Sequence, residues 1–175
     1  MEEYEFTLRF ALPSPGFVSD QLIERLGRAG CEDALVGVGQ AGRVALDFAR
    51  NSGSARQAIL SAIQDVRKAI PGAELLEVTP DLVGLTDIAG MVGCSRQNMR
   101  KLLMAATPGM PAPVHEGTPS LWHLAPVLNW LAQKKHYQVE NAVLELAEAT
   151  MAVNAALCAL RIDDDRRVEI QALLA

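Results

Sequence analysis

Apolar and polar residues alternate with a period of two near the start of the chain. Tyr4, Phe6, Leu8 and Phe10 are separated by Glu5, Thr7 and Arg9, so Tyr4–Leu12 reads as a strand with one buried face. Pro13-Ser-Pro-Gly16 breaks that pattern. The period then lengthens, and Leu22, Ile23 and Leu26 are predicted to face inward from a short helix over Asp20–Gly30. Ala34–Val38 and Arg43–Ala49 read as strands on either side of a Gly39-Gln-Ala-Gly42 turn. Ser54 is placed to cap a longer helix reaching Ile70, with Ala58, Ile59, Ala62, Ile63, Val66 and Ile70 as its buried stripe. Pro71-Gly72 ends that helix, and Glu74–Val78 supplies a last strand. The predicted fold class is α+β, with residues 1–79 forming a βαββαβ ferredoxin-like domain.

A different pattern follows at Leu85–Met104. Ile88, Ala89 and Val92 share one helical face, Gly93 stops that helix, and Ser95 can cap the next, whose inward stripe is Met99, Leu102 and Leu103. Small Ala89 lets the two helices approach closely, as a helix-turn-helix requires. At ~100° per residue, Gln97, Arg100 and Lys101 fall opposite the stripe, with Arg96 and Asn98 on its flanks. Amides and guanidinium groups near a helix N-terminus are the equipment that reaches base edges in a major groove and holds nearby phosphates. A solvated helix hairpin carries the same polar exterior, so the hairpin alone leaves both readings open.

The next segment narrows the choice. Pro108-Gly-Met-Pro-Ala-Pro113 cannot continue a helix, Val114–His123 reads as two short arms around a Glu116–Pro119 turn, and Ala125–Lys135 as a helix with Pro126 near its first turn. With Leu85-Thr-Asp-Ile-Ala89, Val92-Gly-Cys-Ser-Arg-Gln97, Pro111-Ala-Pro113, Trp122 and Val127-Leu-Asn-Trp-Leu131, this order resembles the winged helix-turn-helix of mercury-resistance-type (MerR-like) regulators and of excisionase-type prophage DNA-binding proteins. The resemblance runs from roughly Leu82 to Lys135, about a third of the chain. It implies a DNA-binding domain over 80–137 with the helix at 95–104 in the major groove of double-stranded DNA. Ser95, Arg96, Gln97, Asn98, Arg100 and Lys101 would make contacts from that helix, and His115 and Thr118 from the wing. Two positions depart from the family. Leu121 stands on the arm that usually carries a cation, leaving only His115 and His123 with partial charge, and Cys94 stands where valine is commoner.

From Gln138 to Arg161 no glycine or proline intervenes, which predicts a helix of about 36 Å. Val139, Val143, Leu146, Thr150, Val153, Leu157 and Leu160 follow a 4-3 spacing, a heptad seam with one polar member, beside a ridge of Ala142, Ala149 and Ala156. Residues 138–175 therefore read as a dimerisation segment, with Val139, Val143, Leu146, Val153, Leu157 and Leu160 at the interface. A helix packed on its own domains would show the same spacing, and that alternative stays open. A short last helix after Ile162 is expected to be capped within Asp163–Asp165.

Charge and composition modify this picture. The net charge of −5 argues against nucleic acid until the chain is divided. Residues 1–79 carry −3 and residues 138–175 carry −4, whereas residues 80–137 hold 5 basic and 3 acidic side chains and carry +2. Only 5% of residues are aromatic, so the core is expected to be aliphatic. Cys31, Cys94 and Cys158 are isolated, which argues for a reducing compartment and against a disulfide framework or zinc site. No apolar run is expected to reach the ~20 residues of a bilayer span, and Met1-Glu-Glu does not resemble a signal peptide, so the expected location is cytoplasmic with no membrane partner.

Three other motifs bear on function. Gly37-Val-Gly-Gln-Ala-Gly42 spells a dinucleotide fingerprint, but the alternation of Val44, Leu46 and Phe48 predicts a strand where that fingerprint needs a helix. Pro13-Ser-Pro-Gly-Phe17 faintly resembles the corresponding loop of ACT-type amino-acid-sensing domains, although proline and glycine make such a turn unaided. His115, His123 and His136 have no acid or nucleophile at a catalytic spacing, so neither an enzyme, a cofactor nor a metal is expected. The expectation is a dimeric, sequence-specific DNA-binding transcriptional regulator whose first domain serves a small-molecule effector, a protein partner or assembly. An antitoxin or excisionase-type DNA-binding partner protein, and a small-molecule-binding protein with a structural helix pair, are the alternatives.

Overall fold

A computed structural model of the chain describes residues 1–14, 20–37, 40–105, 108–133 and 137–174. The first part runs β1 (Glu2–Ala11), α1 (Asp20–Arg28), β2 (Ala34–Gly37), β3 (Arg43–Ser52), α2 (Ala55–Ala69) and β4 (Glu74–Thr79). The strands form one antiparallel sheet in the order β2-β3-β1-β4, which puts β1 and β3 at its centre. The register pairs Phe6 with Phe48, Leu8 with Leu46 and Phe10 with Val44, so the apolar set of each central strand lies on one face. The Phe6 and Phe48 rings stack with centroids 5.3 Å apart.

That face is covered by α1 and α2. All six residues assigned to the α2 stripe are buried, and the Ser54 hydroxyl accepts from the Gln57 amide at 3.2 Å as the N-cap. In α1, Leu22 and Leu26 are buried but Ile23 is 58% exposed, against expectation. A nine-residue helix on the rim of the core buries only a narrow stripe, and Ile23 falls outside it. After Gly42 the chain enters strand β3 and not a helix. Val38 and Gly39 of the glycine-rich hairpin lie outside the described residues, as does Pro15–Phe17 of the ACT-like loop.

Arg50 ties this part together. It projects from β3, is 8% exposed, and donates to both Asp33 oxygens at 2.7 and 3.0 Å, to Asp65 and Ser61 at 3.0 Å, and to the Gly30 carbonyl at 2.8 Å. Burial alone would lower its pKa, but the two aspartates outweigh that and raise it. The same burial pushes the neighbouring Cys31 thiol up to about 11, so Cys31 is an inert core thiol.

The second part comprises β5 (Leu82–Val83), α3 (Leu85–Met91), α4 (Arg96–Leu103), β6 (Trp122–His123) and α5 (Leu124–Gln133). Its separate core is built from Val83, Ile88, Met99, Leu103, Trp122, Leu128 and their neighbours. Two helices close the chain, α6 (Asn141–Leu160) and α7 (Asp164–Leu174). The α7 cap is Asp163, whose carboxylate accepts from the Arg166 amide at 3.0 Å.

Helix α6, the expected dimer seam, packs against both cores of its own chain. Leu146 is buried in the first core and the adjacent Ala147 in the second, because successive helical residues differ by ~100° and a helix lying between two bodies shows one face to each. Val153 and Leu157 pack on the first core and Val143 on the second, while Val139 packs there from a segment ahead of the helix. Of the six residues assigned to the seam, only Leu160, at 78% exposure, is left outside. Leu146 of the 4-3 set is thus buried within the chain, and Val139, Val143, Val153 and Leu157 are covered in part. Ala142 and Ala149 of the ridge also face the first core.

By length and composition α6 could cross a bilayer, contrary to the expectation that no such run exists. Its polar side chains show what it does here. Glu145 accepts from the Tyr4 hydroxyl at 2.7 Å and the Ala55 amide at 3.1 Å, and Glu148 accepts from Asn129 at 3.1 Å. Asn154 both accepts from the Val78 amide and donates to its carbonyl, at 2.9 and 2.7 Å, and so covers the open edge of β4.

Candidate nucleic-acid interface

Helix α3 starts where the Asp87 carboxylate accepts from the Gly84 amide at 2.9 Å, an acid in the first turn where the helix dipole favours it. It ends at Val92, and Gly93 adopts φ +67°, a conformation that other residues resist. The Cys94 amide then returns to the Ala89 carbonyl at 2.9 Å. The Ser95 hydroxyl accepts from the Asn98 amide at 3.1 Å and caps α4 as expected. Met99 and Leu103 are buried, and Leu102 is partly so.

The opposite face of α4 is polar and open. Arg96, Gln97, Asn98, Arg100 and Lys101 are all exposed. Among the described residues, none of Arg96, Arg100 and Lys101 has a carboxylate partner, whereas Arg9, Arg28, Arg50, Lys68, Arg166 and Arg167 each have one. Asn98 is the partial exception on this face. Its side-chain amide donates to the Tyr137 hydroxyl at 3.2 Å. The Ser95 side chain is taken up by the cap.

The wing is smaller than two full arms. His115 and Leu121 exchange hydrogen bonds across one bridge, the Val114 amide also reaches the Leu121 carbonyl at 2.9 Å, and Ser120 closes the tip on the Gly117 carbonyl at 3.1 Å. The chain continues into β6, which pairs with β5 through Leu82–His123 and Val83–Trp122. The His115 imidazole lies against Gly117, at a spot where any side chain would collide with it, and Thr118 is exposed at the tip. A groove of about 450 Å³ separates the wing from the helix pair, bounded by Leu85 and Thr86, by Arg96 and Arg100, and by Gly117–Leu121. Thus Arg96, Arg100, Thr118 and the cation-lacking position Leu121 border one groove, with Gln97 and Lys101 on the same exposed face of α4.

His123 is not in that group. Its Nδ1 lies 2.6 Å from Oδ1 of Asp81, a carboxyl group that is 3% exposed and whose other oxygen accepts from Asn154 at 2.8 Å. The Asp81 carbonyl accepts from the Leu124 amide at 2.8 Å, and the Thr150 hydroxyl donates to the Pro80 carbonyl. Asp81, Tyr137 and Asn154 were all missed by sequence reasoning, because each acts through a partner 39 to 73 positions away. Lys134, Lys135 and His136 lie outside the described residues. No family model, curated protein or solved structure matches the chain.

Proposed function

We propose that the chain is a sequence-specific DNA-binding transcriptional regulator with a winged helix-turn-helix at its centre and a ferredoxin-like domain at its N-terminal end. The observation that carries this reading is the open face of α4, where Arg96, Arg100 and Lys101 project beside Gln97 without carboxylate partners among the described residues. Paired cations hold a fold together, whereas three unpaired ones on a face with an amide suit phosphates and base edges. In this reading α4 lies in the major groove, Gln97 and Arg100 contact bases, Arg96 and Lys101 hold phosphates, and Thr118 and His115 approach the backbone. The βαββαβ order with strands arranged β2-β3-β1-β4 supports the ferredoxin-like assignment.

The functional unit is proposed to be a cytoplasmic homodimer, because one eight-residue helix spans only a few base pairs and a two-fold pair multiplies its specificity. The expected seam on α6 is partly covered within the chain, and α7, which buries nothing and exposes Val168, Ile170, Leu173 and Leu174, offers a second copy a further surface. Selection of bound sequences from a random DNA pool tests the function. A reproducible short consensus, doubled with two-fold symmetry, is the expected result. Recovery of unenriched sequence would dispose of it.

A further inference from the structure

A cleft of about 690 Å³ lies away from the α4 face, where the outer side of the sheet, the β5–β6 pair and the end of α6 meet. Its charged groups are unevenly matched. Arg9 is paired with Glu77 at 3.2 Å, and both oxygens of Asp81 are taken by His123 and Asn154. Among the described residues, the Arg43 side chain meets only the neutral Gln40, at 3.3 Å, and Arg161 has no side-chain partner. Two guanidinium groups without carboxylate partners among the described residues therefore border a cleft whose remaining wall includes Ala45, Leu76 and Leu82. With Nδ1 of His123 engaged by Asp81, its Nε2 has no partner among the described residues. Guanidinium forks beside an apolar wall select anionic oxygens carried on an apolar body.

We propose that this cleft is a binding site for a small organic anion, its carboxylate or phosphate held by Arg43 and Arg161 and its apolar body laid on Ala45, Leu76 and Leu82. The site is placed to influence the helix pair. Asp81 forms part of its wall and also holds His123, Asn154 and the first amide of α5, so a ligand there touches the sheet and the second part of the chain at once. A ligand shifts DNA affinity by whatever difference it senses between the two arrangements. That consequence, unlike the site itself, rests on the DNA-binding reading above.

The test is titration of the isotope-labelled full chain with phenyl phosphate, with benzyl alcohol as an uncharged counterpart, followed by amide resonances. Phenyl phosphate should give saturable shifts at Ala45, Leu82 and His123, and benzyl alcohol none at the same concentrations. The double variant Arg43→Gln/Arg161→Gln should weaken binding about ten-fold or more, as expected for losing charge-assisted hydrogen bonds. Leu76→Trp, which fills the cleft without touching a charge, should block it and serves if the double variant misfolds. No saturable shift, shifts confined to Arg96 and Arg100 in the wing groove, or unchanged affinity in these variants would overturn the site. DNA binding is measured separately. A chain that seats phenyl phosphate but selects no DNA sequence keeps the cleft and loses the proposed function, and the converse result does the opposite.

Discussion

Arg50 and Arg100 carry the same guanidinium group in opposite circumstances. Arg50 is buried, bonded to two carboxylates, a hydroxyl and a carbonyl, and lies 4.9 Å from the centre of the Phe48 ring. Arg100 is exposed and has no carboxylate partner among the described residues. The first region uses its charge to close a sheet on its helices. The second leaves charge on the outside of a helix whose inner face already holds it in place. A charge that meets its partners inside the chain is explained by stability, whereas a cluster left unpaired on a rigid element calls for a partner from outside. Substitutions at the two positions should therefore separate folding from binding.

The largest effects should fall where side chains join the two cores. Leu146→Glu puts a carboxylate at a site 6% exposed and should cost on the order of 4 kcal/mol, enough to remove much of the cooperative transition in urea. Leu160→Glu, at 78% exposure, should stay within about 0.5 kcal/mol of wild type. If both variants folded normally and Leu146→Glu only split a dimer, the heptad seam would be intermolecular and the internal role of α6 would be wrong.

Next comes Arg50→Met, which leaves Asp33 and Asp65 without their cation. A loss of about 3 kcal/mol is expected, at the lower end for a broken buried pair because Lys68 still reaches Asp65 and Asp33 is part-exposed. DNA affinity per folded molecule should be unchanged, and an affinity that fell with stability would blur the contrast between the regions. Leu121→Arg should act the other way, with little change in urea midpoint but a salt dependence of DNA binding steeper by about one unit of slope. An unchanged slope would place the wing away from the phosphate backbone.

The smallest effect concerns pH. The hydrogen bond from Tyr4 to Glu145, helped by burial, pushes the Tyr4 pKa from 10.0 to about 12. The folded chain then holds a proton that the unfolded chain releases, so this contribution is complete below pH 10 and disappears as pH rises through about 12. Chemical denaturation across that window should show wild type losing stability faster than Tyr4→Phe; parallel curves would mean the bond does not form in solution.

Elements with a sustained period were legible before any coordinates. The alternation of Tyr4 to Phe10 and the stripe from Ala58 to Ile70 set one face against a core and left little freedom. The α4 face was legible for the same reason, since burying Met99 and Leu103 leaves Gln97, Arg100 and Lys101 no other side to occupy. Strand β5, at two residues, is too short to show a period. The spacing along α6 tells that a face is covered, not by what, and Leu146 meets its own chain's core. Pairings such as Asp81 with His123 leave no local signal, and the exposed Ile23 shows that an apolar residue can satisfy a pattern without being needed by the core.

The central claim is that the outer face of α4 reads DNA, and affinity measured at one fixed salt concentration against the selected consensus tests it most directly. Gln97→Ala and Arg100→Ala should each weaken binding by ~1–3 kcal/mol and relax the preference at one or two base positions. Their urea midpoints should match wild type, because neither side chain touches the core. Wild-type affinity and unchanged base preference in both variants would contradict the account.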